Sequence, residues 1–429
     1  GIRDSVASRG RGDVYKRQAK YMPGGSNGNM IHMDVVIERG EGSHVWDVSG
    51  NEYVDYALGS GPMFIGHAHP NVVKEVQERM TKSSTFFALV EPAIELAEEI
   101  CSAMPCAENI RYASGGSEAT LFAMRAARAY RGRDKIMKFE GGFHGMSDYA
   151  LMSLAPSNPA EFPHPVPDSA GIPKSIQDEM LIAPFNDLET TTALIDQYHD
   201  ELGGVIVEAF QRVIPPKPGF LKGLRDITSH YGVPLIFDEI VTGFRLSYGG
   251  AQSYYGVTPD MCSLGKIVGG GFALSAVAGK EEFMKVFDSA NSSETGPMPQ
   301  VGTLNGNPIA TVAGLSTLKV LRETDDIYEN TFAKGRRLQQ GIREVLDKAE
   351  IPAQVIGHDA LFDVYFTGDE IYDYRGTLKA DKSKTIKLNT LLLERGIFKG
   401  ETKFYVSTAH SDTDIDFTLD AFNSAIDEL

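Results

Sequence analysis

Lys266 lies in the stretch Ser263-Leu264-Gly265-Lys266-Ile267-Val268-Gly269-Gly270-Gly271, and an apolar run upstream of it ends in Phe237-Asp238-Glu239. A lysine amine among glycines can form an imine with an aldehyde, and once freed it can move a proton between two carbons. A carboxylate closing a buried strand can hold a protonated ring nitrogen, a bond worth about 1.5–3 kcal/mol. Ser114-Gly115-Gly116-Ser117-Glu118-Ala119 reads as a strand-to-helix turn. Its small residues leave the first helical N–H groups open to an anion, and the Ser117 hydroxyl can add a bond. Pyridoxal 5′-phosphate (PLP) carries an aldehyde, a ring nitrogen and a phosphate, and it is the cofactor expected here.

Taken singly, each feature has a plainer reading: a solvated lysine, a helix-capping aspartate, a connecting turn. Their order along the chain is what joins them. Phe143-His144-Gly145 follows a strand pattern ending near Phe139-Glu140, so Phe143 can stack on a flat cofactor, with His144 beside it. Ile240 is placed to pack on the opposite face. Glu208, also at a strand end, is expected to orient Asp238 from behind. His67 and His69 have no third ligand at metal spacing and are read as structural, and no metal is expected.

The composition is that of an ordinary globular protein: 429 residues, 42% hydrophobic and 23% charged. A net charge of −17 argues against nucleic acid and anionic membranes as partners. The uncharged stretch 267–279 is too short and too glycine-rich to span a bilayer. Three cysteines are a sparse, odd set, which favours a reducing compartment, with the cytoplasm expected.

Residues 1–20 are basic and without apolar period, and are expected to be a disordered tail. Val/Ile/Tyr/Trp-rich runs between 35 and 57 predict a small antiparallel sheet. From residue 70 helix and strand patterns alternate, with helices at 71–83, 91–104 and 117–131. Strands are predicted at 109–112, 135–139, 204–208, 234–238 and 275–279, which implies βαβ units and a mainly parallel sheet. Residues 151–180 carry six prolines and no period, the mark of a lid-like loop. After Asn307 come long helical patterns, short strands at 354–357 and 361–366, and a last helix opened by Ser411 with Asp414.

The set resembles the class III (fold type I) PLP-dependent aminotransferases, most closely their glutamate-1-semialdehyde 2,1-aminomutase branch. The resemblance is carried by Met22-Pro23-Gly24-Gly25, Trp46-Asp47-Val48-Ser49-Gly50-Asn51, Gly66-His67-Ala68-His69-Pro70 and the 114–119 turn. It continues in Phe139-Glu140-Gly141-Gly142-Phe143-His144-Gly145, Phe237-Asp238-Glu239-Ile240-Val241-Thr242-Gly243-Phe244-Arg245, the Lys266 stretch and Gly302-Thr303-Leu304-Asn305-Gly306-Asn307-Pro308. It implies that Lys266 forms the Schiff base, Asp238 binds the pyridine nitrogen, and Gly115, Gly116 and Ser117 hold the phosphate. It also implies that Thr303 reaches the phosphate of a neighbouring subunit in an obligate homodimer.

Several positions depart from that family. Its stacking tyrosine is Phe143 here. An arginine common after Pro-Gly-Gly is missing from Ser26-Asn27-Gly28-Asn29-Met30-Ile31-His32, and a tryptophan common before Gly-Pro is Ser60. Arg212 enters in Glu208-Ala209-Phe210-Gln211-Arg212-Val213 as a candidate anion anchor for substrate. The expected architecture is α/β: a large, doubly wound PLP-binding domain over 61–306, and a small α+β domain from 21–60 and 307–429. The expected activity is transamination between an amine or amino acid and a carbonyl acceptor. The intramolecular 2,1-aminomutase reaction is the alternative, and a non-catalytic PLP-binding regulatory subunit is the second.

Overall fold

The computed structural model describes residues 12–28, 35–291 and 296–429. It divides into two compact units, one of residues 71–325 with 371–378, the other of residues 1–70, 326–370 and 379–429.

The second of these units carries β1 (Ile37–Glu41), β2 (His44–Asp47) and β3 (Glu52–Asp55), an antiparallel run as the Val/Tyr/Trp pattern predicts. The sheet-bearing unit contains β4 (Asn109–Ala113), β5 (Lys135–Phe139), β6 (Met180–Ala183), β7 (Leu202–Val207), β8 (Leu235–Asp238), β9 (Met261–Leu264) and β10 (Ser275–Gly279). They form one 7-stranded sheet in the order β4-β10-β9-β8-β7-β5-β6. All its pairings are parallel except the two made by β10. Strands β6 to β10 are buried at every position, as a sheet covered on both faces requires. The helix Gly116–Arg131 lays Ala119, Ala123, Ala126 and Ala127 against it, small residues that let helix and sheet approach closely.

In the other unit, β13 (Ile397–Phe398) extends the sheet of β1 to β3, pairing parallel with β3. There β11 (Gln354–His358), β12 (Leu361–Tyr365) and β14 (Phe404–Tyr405) make a separate 3-stranded sheet. Leu338, Ile342, Phe362, Leu392, Phe404 and Phe422 close the core beneath it. Ser411 and Asp414 cap the last helix, Asp412–Ile426, reciprocally. His67 bonds Asp55 at 2.6 Å, while the other oxygen of Asp55 accepts from the N–H of Ala57 and of Leu58. That pairing gives His67 the structural role expected of it.

Two expectations need correction. Residues 12–20, read as part of an unordered tail, belong to a helix, Gly12–Tyr21. Its Lys, Arg, Gln and Ala are good helix formers, and its one glycine, Gly12, is the first residue. The lid-like stretch contains a short helix, Lys174–Gln177, and a bridge between Met152 and Pro167, with irregular backbone between. Residues 29–32, where the family arginine is missing, lie outside the described residues. Among the described residues, no helix is long and apolar enough to cross a membrane.

Candidate active site

Asp238 ends β8 and Ser263 is its register partner on β9. The Ser263 hydroxyl therefore donates to Asp238 Oδ1 at 2.9 Å, and the Ile240 N–H reaches the same oxygen at 3.1 Å. Oδ2 receives His144 Nδ1 at 2.8 Å. An ionised carboxylate only accepts, so Nδ1 carries the proton. Asp238, His144 and Ser263 are all buried. Glu208, expected to orient Asp238, does not bond it: its Oε2 accepts the Arg212 N–H at 2.9 Å. That expectation is corrected, because β7 ends one residue before Glu208 and the chain turns back there, toward Arg212. Sequence reading gave no orienting role to Ser263, which looks like any small residue within a buried strand.

Three residues past Ser263, Lys266 opens a short 3₁₀ turn with φ 49°. A lysine rarely adopts that left-handed backbone, and the surrounding packing holds it. A Cβ on Gly270 would come within 2.4 Å of the Ala313 carbonyl oxygen, and one on Gly314 within 2.2 Å of the Val268 carbonyl oxygen. The turn and the helix Pro308–Glu323 thus interlock through two glycines. At Gly270 the glycine answers to this packing.

Gly115 precedes the helix Gly116–Arg131. Glu118 folds back to accept the N–H groups of Ser114 and Gly115 at 2.9 and 3.1 Å. Among the described residues no acceptor within the chain bonds the N–H of Gly116 or Ser117, the usual state of the first helical amides. A side chain on Gly115 would meet no atom within 4 Å. One on Gly116 or Gly265 would meet Ile240 at 3.3 or 3.0 Å, so both glycines admit that side chain. Gly145, at φ 90°, passes so close to Ser117 that a Cβ would fall 2.5 Å from its hydroxyl. The Met146 N–H donates to that hydroxyl oxygen, and the Thr120 hydroxyl donates to the His144 carbonyl. The 143–146 turn, the helix start, the end of β8 and the lysine turn thus converge.

Phe143 is 38% exposed, with the Arg212 guanidinium 5.3 Å from its ring centroid. Arg212 has φ 62°, another strained backbone position. Lys138 is fully buried, its Nζ donating to the carbonyls of Ala150 and Met152 at 2.8 and 2.7 Å. Burial pushes the Lys138 amine down to about 7, against the opposing pull of Asp168 and Glu208. Thr303 is exposed and lines a cleft of about 290 Å³ with residues 85–89, 300–302 and 305–308. Ser60 lies in the other unit, in a turn closed by its N–H to the Ala57 carbonyl.

The model of the class-III aminotransferases matches residues 26–426. The chain belongs to the class-III aminotransferase family. It is 41% identical, over 96% of both chains, to a glutamate-1-semialdehyde 2,1-aminomutase of Desulforudis audaxviator. It is 39% identical to the protein of that name from Bacillus subtilis, over 97% of each. A solved omega-transaminase from Sphaerobacter thermophilus is 34% identical and superposes with a TM-score of 0.92, covering 98% of both chains. The fold is that of the fold type I enzymes, and the cofactor is PLP. The site of this class-III aminotransferase fits that group: a buried strand-end carboxylate, a lysine one strand away, two uncommitted amides with a hydroxyl, and apolar side chains at Phe143 and Ile240.

Proposed function

We propose that the protein is a transaminase, moving an amino group from an amine or amino acid to a carbonyl acceptor. The observation that carries this reading is the Arg212 guanidinium, 5.3 Å from the ring centroid of Phe143, which stands at the position of the family's tyrosine. Bound PLP supplies an aldehyde carbon to carry the nitrogen and a cationic ring to draw off electrons. Lys266 would hold that aldehyde through Nζ, and its amine, when free, would be the base that takes and returns the substrate α-proton. Asp238 keeps the ring nitrogen protonated, oriented by His144 and Ser263. The Gly116 and Ser117 amides and the Ser117 hydroxyl hold the phosphate, with Gly115 leaving it room. Phe143 and Ile240 bound the two ring faces.

Arg212 serves as the anchor for the carboxylate of a keto-acid acceptor. Phe86, Phe87, Leu89, Val301 and Leu304, exposed around Thr303, support a homodimer in which Thr303 serves the partner's site. The free thiols of Cys101, Cys106 and Cys262 support a reducing, cytoplasmic setting.

The second reading is the 2,1-aminomutase reaction, which the comparisons support better than the first, since the 37–41% identical curated relatives carry that name. Catalytic efficiency on glutamate 1-semialdehyde, set against arylalkyl amines and β- or ω-amino acids, decides between them. Efficient semialdehyde conversion with negligible amine turnover would replace the first reading by the second.

A further inference from the structure

We propose that Arg375 is a positioning residue for the substrate side of this site, acting through Glu140. The proposal rests on the transaminase reading above. Residues 371–378 belong to the sheet-bearing unit, although the stretches on either side of them, 326–370 and 379–429, belong to the other. Arg375 donates Nε to Glu140 Oε2 at 2.7 Å and Nη2 to Oε1 at 3.2 Å, a two-pronged pair on a buried carboxylate. The same Nη2 reaches the Ala160 carbonyl at 2.6 Å, and the guanidinium lies 4.3 Å from the Phe162 ring centroid. Next to it, Tyr374 rests on Gly141, where a Cβ would come within 2.6 Å of the tyrosine side chain. Its hydroxyl donates to the Pro156 carbonyl at 3.0 Å. Two neighbouring residues therefore tie the proline-containing segment to the end of β5.

From Glu140 the connection runs to both halves of the Arg212–Phe143 stack. Phe143 follows three residues later on the same turn. The Glu140 carbonyl accepts Gln211 Nε2 at 2.8 Å, and Arg212 is the next residue. Glu140 is thus the common fixed point for ring and guanidinium, and Arg375 is the cation that holds it. Lysine cannot reproduce the planar fork. Loss of an ion pair that only stabilised the fold would lower stability and leave discrimination between substrates with and without a carboxylate unchanged.

The test uses holoenzyme carrying Arg375→Lys and, separately, Arg375→Met with Glu140→Gln, which removes the stranded buried charge. Each is compared with the parent and with Arg212→Met on a keto-acid acceptor and an arylalkyl amine that has no carboxylate. Limited proteolysis across 151–180 is followed in parallel. The double variant is expected to raise the keto-acid KM about tenfold, a change of about 1.4 kcal/mol, with kcat and amine KM held within about twofold. It is also expected to be nicked faster, and Arg375→Lys should fall between it and the parent. An unchanged keto-acid KM, or an equal rise on both substrates, overturns the proposal. If Arg212→Met also leaves the keto-acid KM unchanged, or the parent turns over neither substrate, the transaminase reading has failed. Proteolysis then decides the tether: faster nicking supports it and unchanged nicking overturns it.

Discussion

His144 donates its Nδ1 proton to Asp238 Oδ2 across 2.8 Å, with both side chains buried. With Ser263 on the other oxygen, the carboxylate is fixed in plane and orientation before any cofactor arrives. Asp238→Asn keeps the shape and removes the charge, so kcat is expected to fall roughly 10- to 100-fold, the worth of one charge-assisted bond. Ser263→Ala should cost about 0.5–1.5 kcal/mol in the same step, a neutral bond's share. Steady-state kinetics on the best donor checks both, and equal losses would contradict the ranking.

Lys266 should be the residue to which borohydride fixes PLP. Peptide mass mapping of the reduced holoenzyme is expected to find the label there. Lys266→Ala should still bind PLP, through its phosphate and ring nitrogen, and lose turnover. Label on another lysine would remove the catalytic assignment.

The glycine interlock should be intolerant of one added carbon. Gly270→Ala and Gly314→Ala each force a Cβ onto a carbonyl oxygen, at 2.4 and 2.2 Å. Overpacking of this kind costs about 1–3 kcal/mol, which urea unfolding would read as a lowered midpoint. Gly115→Ala, by contrast, meets no atom within 4 Å and should leave the midpoint nearly unchanged.

Lys138 supplies a pH dependence with a definite sign. Its amine is pushed from the ordinary 10.5 down to about 7 by burial. Between those values the unfolded chain binds the proton that the folded chain releases, so stability rises with pH through that window. The gain is at most about 1.4 kcal/mol per pH unit. Below about pH 7 both states are protonated and this contribution levels off. The unfolding free energy of the parent minus that of Lys138→Met should therefore climb from pH 7 to pH 10. A flat difference would show that Lys138 is charged throughout.

Assembly can be tested by complementation. A Lys266→Ala chain mixed with a Thr303→Ala chain pairs an intact lysine with an intact partner threonine in one of two sites. Activity above either parent variant is expected. A fully active monomer by light scattering would contradict the shared site.

Much of this was readable in the residues. Lys266, Asp238 and the 114–119 turn lie at strand ends or a helix start, where turn chemistry and apolar runs mark the chain directly. Strands β6 and β9 leave no such mark, because four buried residues are too few to show a period and Met180 closes an irregular stretch. Glu208 was assigned to Asp238 because both close strands, but the direction of a side chain beyond a strand end depends on the backbone that follows. Ser263 depends on register with β8, and Arg375 on a return of the chain from more than 200 residues away. Neither relationship is local, so neither leaves a periodic trace.

The turn that bears Lys266 looks in sequence like a flexible glycine loop, yet helix Pro308–Glu323 backs it through two glycines. Its amides at Val268, Gly270 and Phe272 are bonded to carbonyls within the turn. Opening it requires the helix to lift away, so these amides should exchange with solvent as slowly as the sheet behind them. The motion that carries protons during turnover is then left to the torsions of the lysine side chain, swinging from a main chain that stays still.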